Sequence, residues 1–230
     1  MSLPVPAERS VVDQIRLPFL ESLAAEWEAG RHDNALVMLR ERGVSKDLIR
    51  ERYSGRYPFE LLQNAEDAAA ENGLVGRAHF EVTDTALLVA DNGAGFSAKH
   101  IRAISTLGAS TKDPETAIGY KGLGFKSVGE ITDQPQIVSR EHWFEFSAAR
   151  ARAAITAVTG ELDHDFPLPT YALPFPTSPE DFGDDARRVQ DLLDGGFTTV
   201  FRLPFRESVS REAPWSSSTT STRPRPRRRS

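Results

Sequence analysis

Glu60, Asn64 and Asp67 are spaced so that a helix would carry two carboxylates and one amide on one face. Oxygen atoms of these kinds can hold Mg²⁺ and can orient a water molecule for attack on a phosphate. Residues 57–76 contain no Lys or Arg, whereas a solvated acidic face more often mixes both charges. An ordinary acidic surface nevertheless remains an alternative interpretation of this face taken alone.

Asp91, Gly93 and Gly95 form a second group, at the end of a predicted strand. A buried carboxylate there can accept a hydrogen bond from an exocyclic amine and discriminate strongly for it. The glycines would allow the backbone to approach a ligand closely. Because Asp-Asn-Gly is also common turn chemistry, this motif alone does not distinguish a binding site from a turn.

A third group of glycines, Gly119, Gly122 and Gly124, precedes a predicted helix that begins at Phe125. Backbone N–H groups at such a position can bind an anion, and positive charges lie nearby in the sequence, at Lys112, Lys121 and Lys126. A flexible glycine loop is the alternative. A P-loop does not fit, since Phe125 separates Gly124 from Lys126 and no hydrophobic strand leads into the segment.

The elements that must position these groups follow from periodicity. The helix over 57–70 rests on the spacing of Phe59, Leu62, Ala65 and Ala69, with Pro58 in its first turn. An antiparallel hairpin is predicted over 77–83 and 85–90. Further strands are expected over 136–140, 143–147 and 197–205, further helices over 11–28, 34–42, 45–52, 148–158 and 180–193, and a Pro-rich loop over 160–179. Pro18 is expected to kink or break the first helix.

The composition, 39% hydrophobic and 27% charged, suits a globular domain. The absence of cysteine excludes disulfides and thiolate metal sites. No apolar run is long enough to span a membrane and the N-terminus does not resemble a signal peptide, so we expect a cytoplasmic protein without a membrane partner. Five arginines and no acid lie in residues 213–230, so the net charge of −5 becomes −10 over residues 1–212. This acidic body disfavours nucleic acid as a partner of the core, although the Arg-rich tail could contact it.

Together the three groups resemble the N-box and the two glycine boxes of the GHKL superfamily, which includes gyrase, heat-shock chaperones, histidine kinases and MutL ATPases. The wording is most similar to the sacsin-like branch of the heat-shock-chaperone type. The three segments are Glu60-Leu-Leu-Gln-Asn64-Ala-Glu-Asp67-Ala, Asp91-Asn-Gly93-Ala-Gly95-Phe and Ile118-Gly119-Tyr-Lys-Gly122-Leu-Gly124-Phe-Lys-Ser. The segment 197–203 resembles a later Gly-Thr strand of the family, with Phe197 in place of the glycine.

The resemblance implies a Bergerat fold, an α/β (α+β) two-layer sandwich of a mixed, mostly antiparallel sheet with helices on one face. It implies ATP and Mg²⁺ as cofactors, with Glu60 as general base and Asn64 as the Mg²⁺ ligand. Asp67 would support the helix turn and nearby ligand or water, Asp91 would bind the adenine amine, and Thr198 would lie near the adenine. Phosphates would be held by backbone N–H groups of Gly119, Gly122, Leu123, Gly124 and Phe125, with Lys112 nearby.

We therefore predict an N-terminal helical extension (1–52), an ATP-binding domain (53–206) and a disordered tail (207–230). The expected function is slow ATP hydrolysis coupled to closure of a lid and to conformational change, in a chaperone-like role. An ATP-binding switch with negligible hydrolysis, or a truncated fragment, is the alternative. A histidine kinase is disfavoured, because Glu141-His142-Trp143 has the wrong order for an acceptor His followed by an acid and lies near a predicted strand. An unknown protein client and an ATP-dependent homodimer are expected partners by analogy.

Overall fold

The computed structural model describes residues 10–52, 55–71, 73–106 and 125–206. Within them, six strands form one sheet: β1 (Ala78–Val82), β2 (Ala86–Asp91), β3 (Gln136–Ser139), β4 (His142–Glu145), β5 (Phe175–Pro176) and β6 (Thr199–Pro204). The spatial order is β1-β2-β6-β3-β4-β5, and every neighbouring pair is antiparallel. The predicted hairpin and the strands 136–140, 143–147 and 197–205 are confirmed, with ends that differ by at most two residues.

The described helices are α1 (Val11–Glu28), α2 (His32–Arg52), α3 (Tyr57–Ala70), α4 (Ala98–Thr106), α5 (Ala148–Thr159) and α6 (Ala186–Asp194). Short 3₁₀ segments cover Phe125–Glu130, Thr170–Ala172 and Pro179–Asp185. The helices and the sheet together form the predicted two-layer α+β sandwich. None of the helices in these described ranges combines the length and the apolar character that crossing a bilayer requires.

Two helix predictions differ from the structure near the N-terminus. Pro18 lies inside a continuous α1 and does not end it. The two helices predicted over 34–42 and 45–52 form the single helix α2. Gly43 lies inside α2, where glycine costs about 1 kcal/mol relative to alanine. A β-carbon at Gly43 would overlap the backbone of Pro167, so the glycine serves close packing against that loop instead of ending the helix.

The inner face of the sheet carries the main core, because alternate strand residues point to the same side. Large apolar side chains on this face pack against α1, α3, α4 and the segment Phe125–Glu130. They are Leu87, Val89, Ile137, Phe144, Phe201 and Leu203. Val12, in the first turn of α1, belongs to the same cluster. The start of α1, within the segment predicted as an extension (1–52), is therefore packed into the core, while the domain boundary itself stays a prediction.

The outer face is covered by α6 and the 3₁₀ segment before it, whose residues Phe182, Val189 and Leu192 pack against it. This places a small helical cover on the second face in addition to the main helix layer. A buried ion pair fastens the cover, since Arg202 Nε on β6 donates to Asp185 Oδ2 at 2.8 Å. Arg202 also donates to Gln136 Oε1 at 2.7 Å, which extends the network across the sheet.

Helix α3 buries a different stripe from the one predicted. Its buried residues are Tyr57, Leu61, Ala65 and Ala69. Ala65 and Ala69 were expected on the apolar face, but the expectation is wrong for Phe59 and Leu62, which are 74% and 50% exposed. The helical period is the same for both sets. What differs is the rotation of the helix about its axis, which depends on the surface that it contacts.

Candidate functional site

Asp91 ends β2 with its side chain on the inner face of the sheet, and the residue is 6% exposed. Its Oδ1 atom accepts a hydrogen bond from the Gly93 N–H at 2.8 Å. No cationic side chain pairs with it among the described residues. Burial raises the pKa of Asp91 to about 6, although the hydrogen bond from Gly93 acts to lower it. A buried carboxylate in this state can accept a further hydrogen bond from a ligand donor.

Two hydroxyl side chains continue the polar surface that begins at Asp91 across the neighbouring strands β6 and β3. Asp91 lies opposite Thr199 on β6, and Thr199 lies opposite Ser139 on β3. The Ser139 and Thr199 hydroxyl oxygens are 3.0 Å apart, and both residues are buried. Ser139 Oγ also accepts from the Phe96 N–H at 2.8 Å. The end of the sheet therefore presents a row of polar side chains, with Asp91 at one end of it.

Thr198 lies beside this row and binds the loop that follows β2. Its N–H donates to the Asp91 carbonyl at 2.8 Å, and its hydroxyl donates to the Gly93 carbonyl at 2.7 Å. The residue predicted to lie near an adenine thus holds the Asp91–Gly93 backbone in place. Its neighbour Thr199, which was not predicted, shares the face of the Asp91 side chain. In a strand, consecutive side chains point to opposite faces, so one position decides which threonine faces a ligand.

The loop after β2 contacts α3 without space for a side chain between them. A β-carbon added to Gly93 would overlap the Ala68 β-carbon and lie 2.9 Å from the Ala68 carbonyl carbon. The Ala94 N–H also donates to the Ala68 carbonyl at 2.9 Å. Gly93 therefore lets α3 dock on the end of β2.

Gly95 has a positive φ of 77°, a conformation that favours glycine. A β-carbon there would lie 2.9 Å from Arg140 Nε and 3.0 Å from Ser139 Oγ. The glycines of this motif were expected to admit a ligand. In the structure, Gly93 allows close contact with α3. Gly95 allows close contact with Ser139 and Arg140, where β3 turns into β4.

The contact between Ala68 and Gly93 determines which way the predicted functional side chains of α3 face. Asn64 and Glu60 lie one and two turns before Ala68 on the same side, about 6 and 12 Å along the axis. Both are half-buried, as is Asp67. Glu60, Asn64 and Asp67 therefore lie on the flank of α3 next to the Asp91 loop, and not on the exposed flank of Phe59 and Leu62. The loop after Asp91 contacts this flank at Ala68, and Glu60 lies two turns away at the other end of the flank.

Phe125 is the predicted phosphate-binding residue that lies within the described part of the chain. Its side chain is 2% exposed and packs against Phe201, Tyr171 and Phe146, with ring centroids 5.7, 6.2 and 6.3 Å away. The ring anchors the end of the predicted phosphate loop in the core, while the role of its N–H stays a prediction. The other predicted members lie outside the described residues: Lys112, Gly119, Gly122, Leu123 and Gly124.

Sequence reasoning missed Ala68, Ser139 and Thr199. The alternation of Leu87, Val89 and Asp91 indicates that Asp91 shares a face with apolar residues. No comparable local signal pairs Asp91 with Thr199, because the pairing joins strands that are more than 100 residues apart. The sequence shows the pair Thr198-Thr199, but it does not show which of the two lies opposite Asp91.

Comparison with known proteins identifies a family. Residues 45–224 match the family described as "Sacsin domain", which is more than half of the chain. The chain belongs to the sacsin-domain family. It is also similar to Protein NO VEIN of Arabidopsis thaliana, with 32% identity over 162 residues. That match covers 69% of this chain and 6% of the plant protein, so the sacsin-domain chain spans a small part of this relative.

Membership in the sacsin-domain family fits the GHKL-type resemblance carried by the three motifs. The matched range contains α3, the sheet and the polar row, and it includes every predicted site residue. The N-terminal helix α1 lies outside the match but packs into the same core.

Proposed function

We propose that this sacsin-domain chain binds ATP with Mg²⁺ at the polar row and the adjoining flank of α3. The observation that carries the proposal is the buried Asp91 carboxylate, which has a single backbone donor among the described residues. A carboxylate that is desolvated in this way stabilises the fold poorly by itself. An exocyclic amine of a bound base would supply the missing donor, and Thr199 lies beside it for a second polar contact.

Asn64 is the residue that would hold Mg²⁺, and Glu60 the residue that would orient and deprotonate a water molecule. The described residues contain no cluster of three His, Asp or Glu side chains able to hold a metal ion by themselves. A single amide oxygen together with phosphate oxygens suits Mg²⁺, which usually retains few protein ligands. Metal binding at Asn64 is then expected to depend on the nucleotide. The ion would neutralise phosphate charge.

Slow hydrolysis coupled to lid closure and conformational change, in a chaperone-like role, is the activity that we infer for this site. It rests on Glu60, which lies one helical turn before Asn64 on the same half-buried flank. The lid itself falls within 105–124, most of which is outside the described residues. An ATP-binding switch with negligible turnover would use the same binding residues without proton transfer to Glu60.

The first test is ATP titration by calorimetry with and without Mg²⁺, on the wild type and on Asp91→Asn. We expect loss of at least tenfold in affinity for the variant, since its amide cannot offer the same acceptor to an amine. Asp84→Asn, at the exposed β1–β2 turn, is the matched control and should bind as the wild type does. Equal ATP affinity of all three proteins would contradict the proposed site.

Hydrolysis is tested separately by phosphate release. Glu60→Ala should retain ATP binding and lose turnover by about 10²-fold or more, as removal of a general base does. Glu66→Ala, on the exposed side of α3, is the control. If the wild type binds ATP but releases no phosphate above background, the switch is correct and the ATPase assignment is wrong.

A further inference from the structure

The large apolar side chains that stay exposed in the described part of the chain are concentrated in one region. All of them except Val37 belong to α3, to the segment that follows it or to β1: Phe59, Leu62, Leu74, Val75, Phe80 and Val82. Single exposed apolar residues are normal on protein surfaces, whereas a group of them indicates an interaction surface. This concentration therefore indicates a place where another segment binds.

Phe80 and Val82 lie on the inner face of the sheet, at its edge. They pair with Val89 and Leu87, whose side chains belong to the inner-face core. Phe80 and Val82 nevertheless remain 40% and 49% exposed, because β1 is the last strand of the described sheet and its inner face is only partly covered. β1 thus presents two apolar side chains beside the helix layer.

Phe59 and Leu62 lie on the neighbouring surface of α3, which contacts β1. The polar row runs from β2 toward β6 and β3, so the flank of α3 that carries Asn64 faces away from the edge strand. Leu62 is on nearly the opposite side of the helix, since two residues turn through about 200°. It therefore faces the β1 edge. We call Phe59, Leu62, Phe80 and Val82 the α3–β1 patch.

Acidic side chains border this patch. Residues 57–76 contain four acids and no Lys or Arg. Glu66, one turn after Leu62, and Asp84, after the end of β1, are exposed and have no cationic partner in the described part of the chain. An occupant with both apolar and cationic side chains would complement the patch in charge as well as in apolar character.

The described part of the chain ends beside this patch. Phe205 N–H donates to the Thr85 carbonyl at 2.9 Å, in the turn after β1. Arg206 N–H donates to the Ile131 carbonyl at 3.1 Å, directly after the 3₁₀ segment Phe125–Glu130, which packs against α3. The chain therefore leaves the described fold between the end of β1 and α3.

Residues 207–230 combine the properties that would complement the patch. Five arginines and no acid lie in 213–230, together with Trp215. Trp215 comes nine positions after Arg206, so an extended chain can carry it up to about 30 Å from the described fold. The sacsin-domain match continues to residue 224, so it includes Trp215. This segment can therefore reach the patch and supply both kinds of side chain.

We propose that residues 207–230 bind the α3–β1 patch of the same chain. Trp215 packs against the apolar side chains, and the arginines that follow it lie near Glu66 and Asp84. The covalent tether gives the segment an effective concentration in the millimolar range, so a contact that is weak in itself is populated. The patch is on the flank of α3 away from Asn64, so this contact does not depend on ATP binding.

The absence of natural cysteine allows a direct test by disulfide formation. Ser216→Cys keeps Trp215 and places a thiol next to it, and Glu66→Cys places a second thiol beside the patch. A disulfide needs Cα atoms within about 7 Å of each other, so this double variant should cross-link within one chain under mild oxidation. The product is a monomer that migrates faster on non-reducing gels.

Glu41→Cys combined with Ser216→Cys is the matched control. Glu41 is exposed on α2, which packs against the same segment 125–130 as α3 does, so the tether brings the second thiol near both helices. We expect the Glu66 pair to cross-link about tenfold faster than the Glu41 pair, or more. Equal rates for the two pairs, or a product that is a dimer, would overturn the proposal.

Further substitutions in the pair Glu66→Cys and Ser216→Cys test the apolar contact itself. Trp215→Ser and Leu62→Ser should each slow cross-linking to about the rate of the control pair, because each removes apolar area from one side of the contact. Val37→Ser, at an exposed apolar position outside the patch, should leave the rate unchanged. A rate that survives both Trp215→Ser and Leu62→Ser contradicts the proposed contact.

Discussion

Gly93 and Ala68 are in such close contact that a β-carbon on Gly93 would overlap that of Ala68. This contact joins the end of β2 to the flank of α3 that carries Asn64 and Glu60. It determines how far Asp91, which we propose binds the nucleobase, lies from the proposed metal ligand Asn64 and the proposed general base Glu60. Because Gly93 has no β-carbon, the two halves of the proposed site can come into direct contact.

Replacing Gly93 with alanine should separate these halves. We expect a loss of at least tenfold in ATP affinity and destabilisation by about 1–3 kcal/mol, since neither backbone can move freely. Gly76→Ala is the control, because its β-carbon would meet the Ala69 β-carbon at 3.5 Å, which is ordinary contact. Denaturant unfolding and ATP calorimetry on both variants measure the effect. Unchanged affinity in Gly93→Ala would show that the contact does not position the site.

The Asp91 carboxylate should make the free protein less stable as it ionises. Its pKa is raised by burial to about 6, so the folded state binds the proton more tightly than the unfolded chain does. Stability contributed below pH 4 is therefore lost as the pH rises through 6, by about 3 kcal/mol in total. Asp91→Asn should remove this loss and unfold at higher denaturant concentration than the wild type at pH 7.5. The two proteins should be alike at pH 4, and parallel pH profiles would contradict the assignment.

Ligand binding should follow the opposite pH dependence. An amine donor prefers the ionised Asp91, so affinity should fall about tenfold per pH unit below 6. Adenosine is the appropriate probe, since it carries no phosphate that titrates in the same range. Isothermal titration between pH 5 and 8 measures the profile. The residual binding of Asp91→Asn should be independent of pH over this range, whereas a shared slope would assign the titration to another group.

Asn64 should connect Mg²⁺ to ATP affinity. In Asn64→Ala, ATP affinity with Mg²⁺ should fall to near the value measured without it, because the predicted ligand oxygen is gone. Gln63→Ala removes a neighbouring amide from the exposed side of α3 and should keep the Mg²⁺ effect. Competition titrations of ATP with and without Mg²⁺ on the two variants provide the measurement. A Mg²⁺ effect of equal size in both would assign the metal to other residues.

The buried pair Arg202–Asp185 should be important for stability and not for the site. Removing one partner leaves a buried charge, so Arg202→Met should destabilise the fold by about 3–5 kcal/mol. Arg187→Met, on the exposed side of α6, is the control and should change stability by less than about 0.5 kcal/mol. Urea unfolding at pH 7 measures both. ATP affinity of folded Arg202→Met should remain within threefold of the wild type.

The predicted secondary structure and the observed structure agree best where the evidence in the sequence is local. Strand alternation predicted the hairpin that places Asp91 at a strand end, and helical spacing placed Glu60, Asn64 and Asp67 on one flank. The prediction failed where packing decides between equivalent choices. Phe59 and Leu62 have helical spacing as good as that of Tyr57 and Leu61, yet only the second pair faces the sheet.

The sequence by itself determined which side chains share a helix flank or a strand face, because these periods depend on residues only a few positions apart. It also indicated the family through the order and wording of three short motifs. Only the tertiary structure decided that Thr199 lies opposite Asp91, that Ser139 joins the same row, and that Gly93 is a contact for α3. These relationships join positions far apart along the chain. Sheet register and helix rotation depend on how whole elements pack, and no local pattern specifies them.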